Sequence, residues 1–353
     1  MNSTKEVSLN CSRSGRHTFV FTLIPVVYSC NFIIGIVGNS MVVAAIYCYI
    51  KLKTVANVFI LNLALSDLTF LITLPLWATY TAMGYQWPFG AFFCKASAGL
   101  VTFNLYTSVF LLTGMSIDRY LAIVHPVKSR PRRTVFYARI TCILIWIFSF
   151  LLSVPSIWFR DIIYLKSLNI TVCGFLYEKD KLNHILVGVG LIKSIFGFLI
   201  PFVIIITCYC LIGKALLEAY QIQKTKSRSD EVLMMLAAVV VAFFLCWVPH
   251  QIFHLMDLLA HLHIIKNCRI LDIVDTVMPF TICIAYLNSC LNPILYGFVG
   301  NNFRKHLIRL LRCAPPITSS HPSLSTKMSS ISYRGLETLH LTANKPIPLC
   351  DAR

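Results

Sequence analysis

Charged side chains are scarce in this 353-residue sequence: Asp, Glu, Lys and Arg together make up 13%, about half the density a water-exposed surface requires. Acidic residues are scarcer still, 14 against 31 basic ones. That shortage, with 57% hydrophobic residues and a mean hydropathy of +0.73, excludes the soluble two- or three-domain protein this length would otherwise suggest. The first stretch carries Lys5, Arg13 and Arg16 but no short apolar core with a cleavage site. No removable leader is therefore expected, and the first apolar segment itself directs insertion. Internal repeats, common in transporters, are missing. So are HExxH and any nucleophile–base constellation, which leaves no enzymatic reading and no metal site beyond a sodium ion considered below.

What is present is a series of long apolar runs. Seven stretches, roughly 20–49, 55–81, 92–124, 138–158, 185–217, 232–262 and 271–297, each approach the ~20 residues that cross a bilayer. Each should be helical, because a helix satisfies its own backbone where no water is available. Pro75, Pro155, Pro201, Pro249, Pro279 and Pro293 lie inside these runs. They would argue against helix in water but are usable kinks in a membrane bundle. The expected fold is an all-α membrane protein: an N-terminal segment 1–18, a seven-helix bundle over 19–300, a short amphipathic eighth helix over 301–313, and a disordered tail over 314–353.

Orientation follows from the basic residues of the loops. One side holds fifteen, among them Lys51, Arg130, Lys224 and Arg304; the other holds ten, among them Arg13, Lys166 and Arg269. The fuller side should be cytoplasmic. The glycosylation sequons at Asn2, Asn10 and Asn169 all fall on the other side. The N-terminus is thus expected outside and the C-terminus inside, at the plasma membrane. The +17 net charge then faces anionic lipid and does not imply nucleic acid. Of the fourteen cysteines, Cys11, Cys94, Cys173 and Cys268 lie in extracellular segments. Four cysteines allow three pairings; the expected one is Cys94–Cys173 with Cys11–Cys268. Cys313, directly after an amphipathic stretch, is a candidate for palmitoylation.

An ionisable group at the bilayer centre costs on the order of 3 kcal/mol, so each needs a reason. Asp67 lies mid-way along the second run, with Asn104 and Ser108 one turn apart on the third, Asn288, Ser289 and Asn292 on the seventh and Asn39 on the first. Such a cluster can form a hydrated sodium site or a polar network that switches. Asp118-Arg119-Tyr120 closes the third run, Tyr209 lies on the fifth, Cys246-Trp247-Val-Pro249 on the sixth, and Asn292-Pro293-Ile-Leu-Tyr296 ends the seventh. Together these motifs resemble the rhodopsin-like G-protein-coupled receptors. The resemblance assigns Asp118, Arg119, Tyr120, Tyr209, Pro293 and Tyr296 to the switch that opens for a G protein. It makes Trp247 and the kink at Pro249 the relay from the ligand.

Near the outer surface, Lys193 falls about two turns into the fifth run, roughly 10 Å from its start. Arg160 is expected to end the fourth helix, with Asp257 and Asp275 near the outer ends of the sixth and seventh. One deep cation and two shallow acids suit a ligand with a buried carboxylate and a more superficial basic group, such as a peptide entering C-terminus first. Trp77, Tyr28, Tyr85, His250, Gln251, Met278, Ile282 and Tyr286 are candidate walls.

Longer strings, among them FNLYTSVFLLTGMSIDRYLAIVHPVKSR and CRILDIVDTVMPFTICIAYLNSCLNPILYGF, narrow the resemblance to the angiotensin receptors. This implies the octapeptide angiotensin II as ligand, coupling to G proteins of the Gq/11 class, calcium release through phospholipase C, and regulation by receptor kinases and arrestin. It also implies that Lys193 and Arg160 hold the hormone deep in the pocket while Asp257 and Asp275 face its basic end. Departures stand out. The resemblance places asparagine where Ser289 stands and threonine where His254 stands, an acidic pair where Asn10 precedes Cys11, and more basic residues where Asn301 and Asn302 lie. Ser289 is shorter than asparagine, so altered basal activity or a roomier sodium pocket is expected. The tail, rich in Ser and Thr from Thr318 to Ser332, cannot build a core and offers phosphorylation sites. A light sensor would need a lysine in the seventh run, where Tyr286 stands. A receptor of the same class for another short peptide is the alternative.

Overall fold

The computed structural model describes residues 19–131, 133–166, 168–175, 179–222, 229–299 and 301–311. Its helices are α1 (Val20–Ala45, continued by a π-helical turn Ile46–Ile50), α2 (Val55–Leu71), α3 (Leu74–Ala82), α4 (Gly90–Val124), α5 (Pro126–Ser129) and α6 (Val135–Trp158). A hairpin of β1 (Arg160–Leu165) and β2 (Ile170–Phe175) follows. Then come α7 (Lys179–Ser194), a π-helical turn Ile195–Leu199, α8 (Ile200–Ile222), α9 (Ser229–His261), α10 (Cys268–Val299) and α11 (Asn301–Leu311). Among the described residues, seven helical spans are long and apolar enough to cross a membrane. Asn2, Asn10, Cys11, Cys313 and the serine-rich tail lie outside the described residues.

Several boundaries differ from the sequence expectation, each for a local reason. Pro75 does not kink the middle of a helix; it sits in the first turn of α3, after a break at Ile72–Thr73. Proline is tolerated there because a first-turn N–H has no helical partner to lose. The fifth membrane-crossing span runs His184–Glu218, close to the expected 185–217, but its helix extends outward to Lys179. Lys193 is nine residues into the span, ~14 Å from its start. Arg160 does not end a helix. α6 stops at Trp158, and Arg160 opens β1, paired with Phe175. Pro155 lies inside α6, and the Phe159 N–H donates to its carbonyl at 3.1 Å where the helix ends.

Where chains enter helices, hydroxyls finish the backbone bonding: Thr54 accepts from Asn57 N at 3.2 Å and Thr134 from Tyr137 N at 3.4 Å. Hydroxyls inside the spans turn back on their own helix, as Thr102 does to the Ala98 carbonyl at 3.0 Å and Ser153 to that of Ser149 at 2.7 Å. The main core gathers Leu63, Val109, Leu112, Met115, Ile205, Val239, Phe243 and Tyr296 from five spans. Gly114 permits the close approach of α4 to α2, since a Cβ there would lie 2.8 Å from the Phe59 ring. The outer surface is apolar, with Ile143, Leu144, Ile147, Phe150 and Leu151 of α6 all exposed. That is the reverse of a water-soluble fold.

The hairpin is tied to the bundle at its end. Cys94, one turn into α4, is disulfide-bonded to Cys173 of β2, as expected. Trp87 donates its backbone N–H to the Thr171 carbonyl at 2.7 Å and packs against both cysteines. Cys268 is disulfide-bonded; its expected partner, Cys11, lies outside the described residues.

A ligand-sized cavity above a buried carboxylate

A cavity of about 480 Å³ opens at the hairpin end of the bundle. All twelve residues that the sequence marked as candidate ligand contacts line it: Tyr28, Trp77, Tyr85, Arg160, Lys193, His250, Gln251, Asp257, Asp275, Met278, Ile282 and Tyr286. The helical ladder places them at graded depths. On α9 the lining runs from Trp247, deepest, through His250 and His254 to Asp257, a rise of ~15 Å. On α7 Lys193 is the deepest contributor. The acids therefore sit toward the mouth and the ammonium toward the floor. Among the described residues no carboxylate pairs with Lys193. Asp257 lies 3.6 Å from His261 Nδ1, one turn further out.

Arg160 reaches the cavity from the hairpin. Its Nη1 donates to the Cys173 carbonyl at 3.1 Å, and its guanidinium lies 4.5 Å above the Phe175 ring. The disulfide thus fixes the carbonyl that aims the arginine. Burial lowers its pKa from the usual value, opposed by the nearby hydroxyls of Tyr80 and Tyr286; at any physiological pH it stays a cation. Phe175, Tyr80 and Phe21 were not anticipated in the sequence reading. The first supports Arg160, and the other two pack on Tyr85 with ring centroids 5.3 and 5.7 Å away. Tyr85 itself adopts a left-handed backbone, φ 68°, uncommon for a bulky residue. No sequence pattern signals such a turn.

Below the cavity floor, Asp67 is fully buried. Its Oδ1 accepts from Ser289 Oγ at 2.7 Å and from Asn104 Nδ2 at 3.2 Å, and its Oδ2 from Asn292 Nδ2 at 2.9 Å. Asn104 also reaches Ser108 at 3.2 Å. Two expected members stand apart. Asn39 donates to the carbonyls of Gly35 and Ser289, each at 2.9 Å, and not to the carboxylate. Asn288 is buried with its Oδ1 unpartnered. Ser289 turns to Asp67; Asn104 is held by Ser66, Asp67 and Ser108.

At the opposite end of α4, Asp118 binds Arg119, and Arg133 joins through a 2.8 Å bond from its Nε. Arg133 was counted in the sequence only as a loop cation; its place beside Asp118 is set by the turn of α5. Tyr120 pairs with His125 Nε2 at 3.0 Å. The hydroxyl of Tyr209 and the indole N–H of Trp247 are buried without hydrogen-bond partners. Polar atoms left in that condition are costly, and they mark a region with more than one arrangement or with internal water.

A receptor architecture is what these parts define: an open, ligand-sized cavity at one end, a charged latch at the other, and polar atoms awaiting partners between. The description "7 transmembrane receptor (rhodopsin family)" matches residues 38–296, and the chain belongs to that family. Within the family it is similar to type-1 angiotensin II receptors. It is 57% identical to that of Gallus gallus over 99% of this chain and 97% of the relative. It is 55% identical to that of Homo sapiens over 98% and 96%, and 55% identical to the type-1 angiotensin II receptor A of Mus musculus over 97% and 95%.

Proposed function

We propose that this chain is a cell-surface receptor for angiotensin II, with the hairpin end of the bundle outside and α11 in the cytoplasm. The carrying observation is the charge gradient of the cavity: Lys193 deep and free of any described carboxylate, Arg160 held over Phe175, Asp257 and Asp275 nearer the mouth. A peptide whose carboxylate enters first and whose basic end trails matches that gradient. Binding at the floor presses on Trp247, whose ring lies 6.0 Å from that of Phe243. The Pro249 kink in α9 then lets the lower half of that helix swing. Release of Arg119 from Asp118 at the opposite end opens a surface for a G protein of the Gq/11 class, and phospholipase C and calcium follow.

Regulation belongs to the same reading. Receptor kinases and arrestin act on the serine-rich tail, Cys313 takes a palmitoyl group against membrane lipid, and Asn2, Asn10 and Asn169 carry glycans. A sodium ion is the proposed allosteric partner of the Asp67 network. The Asn292 Oδ1, buried and unpartnered on the side chain whose amide holds Asp67, fits a hard cation's preference for oxygen. Asp67, Asn104, Ser108, Asn288, Ser289 and Asn292 would surround it. Its chemistry there is charge neutralisation of Asp67.

The test is calcium release in cells expressing the chain after addition of angiotensin II. A dose-dependent transient supports the reading; silence with angiotensin II but a response to another short peptide would transfer the same mechanism to that ligand.

A further inference from the structure

The free end of the β1–β2 hairpin exposes Ile162, Tyr164 and Leu168. The hairpin begins after the membrane-crossing part of α6 ends at Trp158, so lipid does not account for these apolar side chains. The same turn holds the sequon Asn169-Ile170-Thr171. Strand register sets Tyr164 opposite Thr171, and opposed residues project from the same face of a sheet. The Tyr164 hydroxyl donates to Asn169 Oδ1, and Asn169 has a left-handed backbone, φ 53°, which asparagine tolerates. The backbone of Thr171 is fixed on both sides: its N–H donates to Gln86 Oε1 at 2.9 Å and its carbonyl accepts from Trp87 N at 2.7 Å. Among the described residues, Asn169 Nδ2 and the Thr171 hydroxyl make no hydrogen bond. The asparagine is therefore held by its oxygen, while the nitrogen that carries an N-linked glycan is free. Attachment replaces a hydrogen on that nitrogen, so the bond from Tyr164 survives it.

We propose that Tyr164 is the seat of a glycan on Asn169: its hydroxyl holds the amide oxygen, and its ring packs against the first sugar, a β-linked N-acetylglucosamine. The sugar leaves from an amide already bonded to that tyrosine, so it starts within a side chain's length of the ring. The ring is 57% exposed and offers a face to receive it. The C–H bonds on one side of a pyranose are apolar and slightly positive, which matches the negative face of an aromatic ring. Covering the ring also removes apolar surface from water. The inference rests on the extracellular placement of the hairpin and on glycosylation of Asn169. It adds what the sequon alone does not specify: a fixed direction for the glycan, folded back on the hairpin that bears it.

The full chain carrying Asn2→Gln and Asn10→Gln keeps Asn169 as its remaining sequon. Produced in cells that make high-mannose glycans, it should shift in mobility on treatment with peptide-N-glycosidase. Absence of a shift removes the glycan reading itself, and this inference with it. Hydroxyl-radical labelling of Tyr164, read by mass spectrometry, then tests the contact. The comparison is Thr171→Val, which abolishes the sequon and leaves Asn169 and Tyr164 in place. The glycosylated chain should label roughly twofold more slowly, because one of the ring's two faces is covered. Trimming with endoglycosidase H to a single sugar should keep that protection. Loss of protection on trimming, or equal labelling with and without the glycan, overturns the proposal. Release of the glycan from the native chain by peptide-N-glycosidase should be roughly threefold faster in Tyr164→Leu, since the enzyme reads the unseated population. Tyr164→Phe, which keeps the ring without the hydroxyl, should fall between. An unchanged rate in an occupied Tyr164→Leu chain describes a glycan standing free of the hairpin, and that too overturns the proposal.

Discussion

Ser289 Oγ donates a 2.7 Å hydrogen bond to Asp67 Oδ1, the same oxygen that Asn104 reaches from α4. One carboxylate thereby holds α2, α4 and α10 together at mid-membrane, and serine joins as a short donor rather than as a bridge between α10 and α4. Ser289→Ala deletes one hydrogen bond to a charged acceptor and should cost about 1.5–3 kcal/mol. Detergent-solubilised protein should show this as a lower melting temperature. Ser289→Asn adds the reach to engage Asn104 directly and should lower ligand-free inositol phosphate production. Unchanged basal signalling and unchanged sodium sensitivity would remove the functional role given to this position.

Lys193→Ala should weaken angiotensin II by about 10- to 100-fold, the worth of a hydrogen bond to a charged group. A peptide with its C-terminal carboxylate amidated should lose most of its affinity for the parent and little more for the variant. Similar right-shifts of both peptides by the mutation would contradict the deep-carboxylate geometry. Asp275→Asn should penalise only peptides carrying the basic residue.

Asp161 tests electrostatics at the mouth. The Ile162 N–H at 2.8 Å and Lys95 at 3.0 Å hold its carboxyl below the usual carboxylate range. A depressed acid contributes stability above its unfolded pKa and loses it as pH falls through the folded value. Asp161→Asn should therefore melt slightly lower than the parent at pH 6, and the difference should shrink as pH falls below the usual carboxylate range and through the lowered folded value. The pair is partly exposed, so the effect should stay under about 1 kcal/mol and shrink in high salt. A gap that widens with acidification would reverse the assignment.

Gly114→Ala forces a methyl to 2.8 Å from the buried Phe59 ring. Overpacking of this kind costs about 1–3 kcal/mol, and a matching fall in thermal stability is expected. Ligand affinity measured on the surviving folded fraction should be unaffected, since neither residue lines the cavity.

Much of this architecture is legible in the residues because the membrane imposes a simple rule. Apolar length sets the spans, and buried ions such as Asp67 and Lys193 stand out against them. The cavity set was readable for the same reason, as helical spacing turns a list of polar and aromatic positions into one face. Part of what escaped lies where the chain is not a helix. The place of Arg160 depends on a hairpin register, the left-handed backbone of Tyr85 on a turn, and Phe175 on strand pairing across a disulfide; none has a period, although Tyr85 itself was read as a cavity wall. Arg133 was missed because its partner, Asp118, is fifteen positions away and already satisfied by its neighbour in sequence.

The interruption before Pro75 also fixes a rotation. Successive helical residues are offset by about 100° around the axis, so the point at which α3 restarts sets which way Trp77, Tyr80 and Thr81 face. Sliding the proline by a single position would swing this aromatic wall out toward lipid and leave one flank of the chamber unlined. The breadth of the entrance is thus governed by where one imino acid falls in the second span.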